Sequence, residues 1–300
     1  MNVDEALAFV TDAGVRTVRV LFADQHGVLR GKALAVSSFA SVLERGVGVP
    51  ASLLHKDTGT TYAIGLWAAT GNAELDGLVG VQNIVLRPDP GSLRLIPWAA
   101  DTAVILSDLE TLQGAPIELS TRRICADAVD RLASRGHRFV AGLELEFHLY
   151  RRAADGSLTD SHPGWDLLGE DPLDRILPIL EPIRLGLDAL GFPPATIEAE
   201  LGPSQIEMTF APASGLSLAD QALFVRSAIR QIARHNELHA TFMSRPRLIS
   251  ESFPSGWHLH QSLVSASAVA DIGPSQFTPI NADDLLSPIG RQWVAGLLHN

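Results

Sequence analysis

The sequence contains one cysteine and lacks long hydrophobic runs. Cys125 alone excludes a disulfide within the chain, and its place in an apolar-periodic stretch predicts a small buried side chain. No stretch approaches the ~18 uninterrupted apolar residues of a membrane span. The first residues, MNVDEALAFVTDAG, carry acids where a signal peptide would carry Lys or Arg. These features predict a cytoplasmic protein.

Positive charge is also scarce, with 23 Lys and Arg against 34 Asp and Glu and a formal net charge of −11. An acidic surface repels phosphate backbones, so neither nucleic acid nor an anionic membrane is an expected partner. Apolar residues make up 46% of the 300 residues, which is typical of a soluble globular enzyme with one large or two unequal domains.

Three common active-site signatures are missing from the sequence. Without G-x-x-x-x-G-K-[ST] or G-x-G-x-x-G, nucleotide binding would have to depend on metal ions. Without G-x-S-x-G, no nucleophile elbow supports Ser-His-Asp chemistry.

Strand-like and helix-like segments mix without strict βαβ alternation, which favours an α+β fold. Residues 1–105 are predicted to form a small, mostly β domain, and residues 106–300 a larger α+β domain. Within the larger domain we expect a surface loop at 153–172 before a helix from about 174. In the smaller domain, Arg30 and Lys32 are predicted to be solvent-exposed charged residues of a turn.

Three strand-like segments each place two ligand-type residues two positions apart. Residues i and i+2 of a strand point to the same face, so each pair shares one side while an apolar residue faces the other. The pairs are Glu144/Glu146 in GLELEF, Gln205/Glu207 in SQIEM and His258/His260 in WHLHQ, and Glu200 adds a carboxylate from the preceding strand end.

Each pair alone has a simpler explanation. Two acids on the solvent-exposed face of a strand are common, and two histidines can be ordinary hydrogen-bonded side chains at the surface. Three pairs with one period, however, predict a cup of carboxylates and imidazoles. Such a cup suits Mg²⁺ or Mn²⁺, and its carboxylates need cations in order to stay ionised close together.

The ordered segments GLELEFHLY, ELGPSQIEMTFAP, ATFMSRP and SGWHLHQSL resemble the glutamine synthetase family, and VRVLFADQHGVLRGKAL fits the same pattern. Within that family, these segments most resemble the γ-glutamylpolyamine synthetase-like branch. The resemblance implies an N-terminal β-grasp domain, an α+β catalytic domain and a double-ring homo-oligomer in which adjacent subunits share each active site. It also implies ATP-dependent formation of an amide from a carboxylate and ammonia or an amine, through an acyl phosphate.

The resemblance also implies roles for individual residues. Glu146, Glu200 and Glu207 would hold the metal nearer the acyl substrate, while Glu144 and His258 would hold the metal nearer the ATP phosphates. His260 and Ser262 resemble the nucleotide-contacting pair, and Gly256 lies in the substrate-binding segment. Asp57 in KDTGTT matches an acid that helps bind the amine, although a loop-capping role is the competing interpretation.

Two departures from the family pattern leave alternatives open. Pro254 replaces a glycine that lies against the amino-acid substrate, so the acid could be glutamate or a related one. Asn300 falls in what resembles a mid-domain helix, before the family's later arginines and its last glutamate ligand. The alternatives to a ligase are therefore a C-terminally truncated, inactive paralogue acting in assembly or regulation, and a metal-dependent hydrolase.

Overall fold

A computed structural model describes residues 1–65, 67, 70–71, 78–80, 82–247, 253–268 and 273–299. These residues form two compact units, 1–126 and 127–300, and both contain sheets and helices. The mixed α+β fold expected from the sequence is therefore confirmed. None of the helices within the described ranges is long and apolar enough to cross a membrane.

The first unit is built around one mixed sheet. Its elements are α1 (Val3–Asp12), β1 (Thr17–Ala23), β2 (Leu29–Ala35), α2 (Phe39–Arg45), β3 (Val47–Pro50), β4 (Asn83–Pro88), β5 (Arg94–Leu95) and β6 (Thr102–Glu110). The strand order is β2-β1-β6-β4-β3, with β5 on β6, and β1 runs parallel to β6. Alternation along β1 places Val18, Val20 and Phe22 in the core, as the period of two requires.

Helix α3 (Thr121–Ala133) leads into the second unit, whose sheet is organised by one long strand. The elements that follow are β7 (His137–Arg152), β8 (Leu158–Asp160), α4 (Glu170–Ala189), β9 (Pro194–Ala199), β10 (Gln205–Phe210), β11 (Ala213–Ser214), α5 (Leu216–His235), β12 (Leu238–Thr241), β13 (Trp257–Ser265) and α6 (Pro288–His299). β7 pairs with β8, β10, β11, β12 and β13, and β10 also pairs with β9, all antiparallel.

The two faces of this second sheet differ in character. Leu143, Leu145 and Phe147 of β7 and Ile206 and Met208 of β10 are at most 3% exposed. Helix α5 packs on β7, β11 and β12, and α4 packs on α5 and β9. The apolar face is thus covered by helices, which leaves the intervening polar side chains of β7 and β10 on the opposite face.

Three expectations from the sequence are wrong in detail. Cys125 is half-buried, because it lies on helix α3, of which only Arg122 is buried. The stretch 153–172 is not wholly loop, since β8 pairs with the end of β7 and α4 begins at Glu170. Arg30 is no solvated turn charge, because its Nε donates a 2.6 Å hydrogen bond to the buried carboxylate of Asp24.

Candidate metal centre

The strand register brings the sequence pairs onto one surface. Glu207 of β10 lies directly opposite Glu146 of β7 and, on its other side, opposite Glu198 of β9. Glu144 of β7 is opposite His258 of β13. Because directly opposed residues share a face, three carboxylates form a row across β9, β10 and β7, and His258 lies beside Glu144 in the middle of β7.

Distances confirm that these side chains approach each other. His258 Nδ1 lies 3.0 Å from Glu144 Oε2, 3.8 Å from Glu207 Oε2 and 4.0 Å from Glu146 Oε1. His260 Nε2 lies 2.7 Å from Glu144 Oε1. The imidazole of His258 therefore faces carboxylates from two different strands.

Two groups of side chains have the spacing of a metal site. Glu144, Glu207 and His258 form one, and Glu198, Glu200 and Glu207 form the other, with one ligand atom of each residue within 4.8 Å of the others. Glu207 belongs to both. Carboxylate oxygens with a single imidazole nitrogen suit Mg²⁺ or Mn²⁺, and the donor set lacks the Cys and multiple His ligands of a closed zinc site. The residues present fit the expected divalent ion.

The electrostatics of the site favour a bound cation. Burial, followed by the negative charges of Glu144, Glu200, Glu146 and Glu198, raises the pKa of Glu207 to about 7. Burial also raises the pKa of Glu200, against the hydrogen bond that it accepts from the backbone of Leu201. Opposed like charges destabilise a sheet, so a divalent ion would relieve this repulsion.

Two residues fix the shape of the cup. Gln205, which is 2% exposed, donates from Nε2 to Glu146 Oε2 at 2.6 Å. A Cβ atom on Gly256 would lie 2.8 Å from Glu146 Oε1 and 3.2 Å from His258 Nε2. The backbone at Gly256 therefore lies so close to Glu146 and His258 that any side chain larger than hydrogen would displace them.

The remaining candidate residues have other partners. Ser262, on β13 with His260, shares a 2.7 Å hydrogen bond with the hydroxyl of Ser275. Asp57 belongs to the first unit, where its carboxylate accepts hydrogen bonds from the backbone N–H and the hydroxyl of Thr61. These bonds lower the pKa of Asp57. They give Asp57 the geometry of a loop cap, the competing interpretation of this residue.

Sequence reasoning missed Glu198. The signal was available, because Glu198 and Glu200 repeat the E-x-E spacing of Glu144 and Glu146. Only Glu200 was selected, since nothing local to the sequence shows that Glu198 lies opposite Glu207. The hydrogen bond from Gln205 to Glu146 could not be predicted either, because the period of two only places the Gln205 amide on the same face as Glu207.

Comparisons with known proteins identify the family of this chain. Residues 118–300 match the family model "Glutamine synthetase, catalytic domain". The chain is 36% identical to a γ-glutamylanilide synthase of Acinetobacter sp over 99% of this chain and 62% of the relative. It is 27% identical to a glutamate–isopropylamine ligase of Pseudomonas sp, over 97% of this chain and 62% of that relative. It thus spans about three fifths of the length of the curated relatives that it matches.

Solved structures show the same fold. A crystal structure of a novel glutamine synthase homologue superposes with a TM-score of 0.79 at 24% identity, over 95% of this chain and 62% of that one. The ligand-free structure of GmaS gives the same TM-score and identity over 98% of this chain and 63% of that one. Because the family model matches more than half of its residues, the chain belongs to the glutamine synthetase family.

Proposed function

We propose that this chain carries the metal centre of an ATP-dependent carboxylate–amine ligase. The observation that supports this most directly is the convergence of Glu144, Glu207, Glu198, Glu200 and His258 from four strand segments onto one face of the second sheet. An acidic cup of this kind has no evident role in stability, since its charges repel one another. It suits the binding of Mg²⁺ or Mn²⁺ together with a nucleoside triphosphate.

The proposed reaction has two steps. An oxygen of the acid's carboxylate attacks the γ-phosphorus of ATP, the bond to the bridging oxygen breaks, and ADP leaves. The nitrogen of ammonia or an amine then attacks the acyl carbon, phosphate leaves, and the nitrogen loses a proton. Divalent ions in the cup would neutralise the charge of the transferring phosphoryl group.

Individual residues have separate proposed roles. Glu146, Glu200 and Glu207 would hold the ion nearer the acid, and Glu144 and His258 the ion nearer the phosphates. His260 and Ser262 would contact the nucleotide, and the backbone at Gly256 would lie against the acid substrate. Glu198 is added to this set because it faces Glu207 from the neighbouring strand.

The proposal extends to the whole protein. We propose that the first unit, in which the sequence assigned residues 1–105 to a β-grasp domain, has that fold, and the mixed sheet with parallel β1 and β6 supports this. The second unit would be the catalytic domain. A double-ring homo-oligomer and an amine site that includes Asp57 are proposals from the family resemblance, and a cytoplasmic location is a proposal from the composition of the chain.

The acceptor is tested with an amine panel. The relatives are named for anilide, isopropylamine and, in Streptomyces coelicolor, ethanolamide formation. ADP release would be measured with ATP, Mn²⁺, L-glutamate and either ammonium, methylamine, isopropylamine, ethanolamine or aniline, with the Glu144→Gln variant as control. We expect amine-dependent ADP release that the variant lacks.

Other results of this assay separate the alternatives. Phosphate release that needs no amine would indicate a metal-dependent hydrolase instead. Mn²⁺ binding without turnover on any amine would support a non-catalytic role.

A further inference from the structure

Glu146 uses its two carboxylate oxygens differently. Oε2 accepts the 2.6 Å hydrogen bond from Gln205 Nε2. Oε1 lies 4.0 Å from His258 Nδ1, on the side where Gly256 approaches. One oxygen is therefore held from behind by an amide, and the other points into the cup.

The amide that holds Glu146 is itself fixed at both ends. Gln205 Oε1 accepts a 2.9 Å hydrogen bond from the backbone N–H of Gly202, so the orientation of the amide is determined. Its Nε2 also donates to the carbonyl oxygen of Pro254 at 3.2 Å. With 2% of its surface exposed, Gln205 loses little additional side-chain freedom when it engages Glu146.

The same amide connects the carboxylate to the segment before β13. Pro254 precedes Ser255, whose backbone N–H donates to Ser244 and whose hydroxyl lies 3.0 Å from Nδ1 of the buried His148. Gly256 follows and lies against Glu146 Oε1 and His258. A displacement of Pro254 would thus move the backbone that borders the cup.

We propose that Gln205 is a positioning residue, which directs Glu146 Oε1 at the metal and sets the distance between Glu146 and the Pro254–Gly256 segment. This inference rests on the proposed function, because it takes Glu146 as a metal ligand. Groups that orient a ligand carboxylate from behind commonly change metal affinity by about 10- to 100-fold when they are removed.

The test compares Gln205→Met with a neighbouring control. Methionine has a similar length but no N–H, so it leaves both Glu146 and Pro254 without the amide. Ser204→Ala is the matched control, because it removes two partly buried hydrogen bonds of the adjacent residue and none to Glu146. The Ser204 hydroxyl donates to Asp160 and accepts from the backbone N–H of Ser161. Mn²⁺ affinity is measured by titration calorimetry, the bound ion by electron paramagnetic resonance, and stability by thermal melting.

We expect Gln205→Met to weaken Mn²⁺ binding by about 10-fold or more and to alter the resonance of bound Mn²⁺. Ser204→Ala should lower the melting temperature while it keeps the wild-type affinity and spectrum. If Gln205→Met does not fold, the same measurements on Gln205→Asn test the positioning role, since the asparagine amide is one methylene too short to reach Glu146.

Wild-type affinity and spectrum in the folded Gln205 variant would overturn the positioning role. A parallel Glu207→Gln variant distinguishes this failure from failure of the proposed function. If Glu207→Gln loses Mn²⁺ binding while the Gln205 variant does not, only the positioning role is wrong. If neither variant changes Mn²⁺ binding, the metal centre itself is wrong.

Discussion

Glu207 lies directly opposite Glu146 in the antiparallel register of β10 and β7, so that two carboxylates face each other where a sheet normally places compatible side chains. The arrangement is unfavourable for the protein by itself and favourable for a protein that binds a cation. Stability and metal affinity should therefore respond in opposite directions to pH and to mutation at this site.

The first prediction concerns the stability of the metal-free protein. The pKa of Glu207 rises from an ordinary 4.5 to about 7 on folding. The folded state therefore binds more protons than the unfolded state between these values, and stability falls as the pH rises through this window. Below about pH 4.5 the carboxyl of Glu207 is protonated in both states, and the free energy of unfolding is highest with respect to this group. Above pH 7 the free energy of unfolding is lower by at most about 3 kcal/mol.

Chemical unfolding between pH 5 and 8, with a chelator present, measures this effect. The Glu207→Gln variant is the control, because its amide does not titrate, and its stability should vary less over the same range. An unchanged pH dependence in the variant would show that Glu207 is not the group responsible.

The second prediction concerns metal binding. Since the carboxylate must lose its proton to coordinate an ion, Mn²⁺ binding should release a proton below pH 7. The Kd should then rise by roughly tenfold per pH unit as the pH falls below 7. Calorimetry in two buffers of different ionisation enthalpy counts the released protons, and a Kd that is constant from pH 5.5 to 7 would contradict the prediction.

The third prediction concerns Gly256. In Gly256→Ala the new Cβ would come within 2.8 Å of Glu146 Oε1, so the carboxylate or the segment must shift. We expect Mn²⁺ affinity to fall by about 10-fold, as for other displaced ligands, with a small change in melting temperature.

Gly142 of β7 provides the comparison for this variant. A Cβ there would meet only ordinary contacts at 3.9 Å and 4.0 Å, with His260 and Pro212. Gly142→Ala should therefore keep the wild-type affinity. Equal losses in the two variants would mean that any added methyl group on this sheet disturbs the site.

The fourth prediction concerns the ion pair of the first unit. The carboxylate of Asp24 is 1% exposed, pairs with Arg30, and accepts the backbone N–H groups of His26 and Val28. Asp24→Ala leaves a largely buried guanidinium without this partner, and we expect it to lower the free energy of unfolding by about 3 kcal/mol.

The exposed pair of Arg184 and Glu181 has a similar length, 2.7 Å against 2.6 Å. Glu181→Ala should leave the unfolding free energy unchanged within error, because solvent screens this pair. Denaturant unfolding of both variants provides the comparison. Similar losses would show that burial does not decide the contribution of these pairs.

Local sequence patterns determined much of the fold and part of the site. The period of two along β7 and β10 assigned Glu144, Glu146 and Glu207 to one face and Leu145 and Ile206 to the other, because successive side chains of a strand alternate. The mixture of strand-like and helix-like segments without strict βαβ alternation indicated an α+β fold.

Only the tertiary structure decided which side chains meet. The register of β9 against β10 made Glu198 a neighbour of Glu207, and the pairing of β10 with β7 brought Gln205 into contact with Glu146, 59 residues away in sequence. Periodicity is a property of one strand, whereas register depends on how separate strands pair with each other. The sequence therefore determined the face of each candidate ligand, and the folded sheet determined its neighbours.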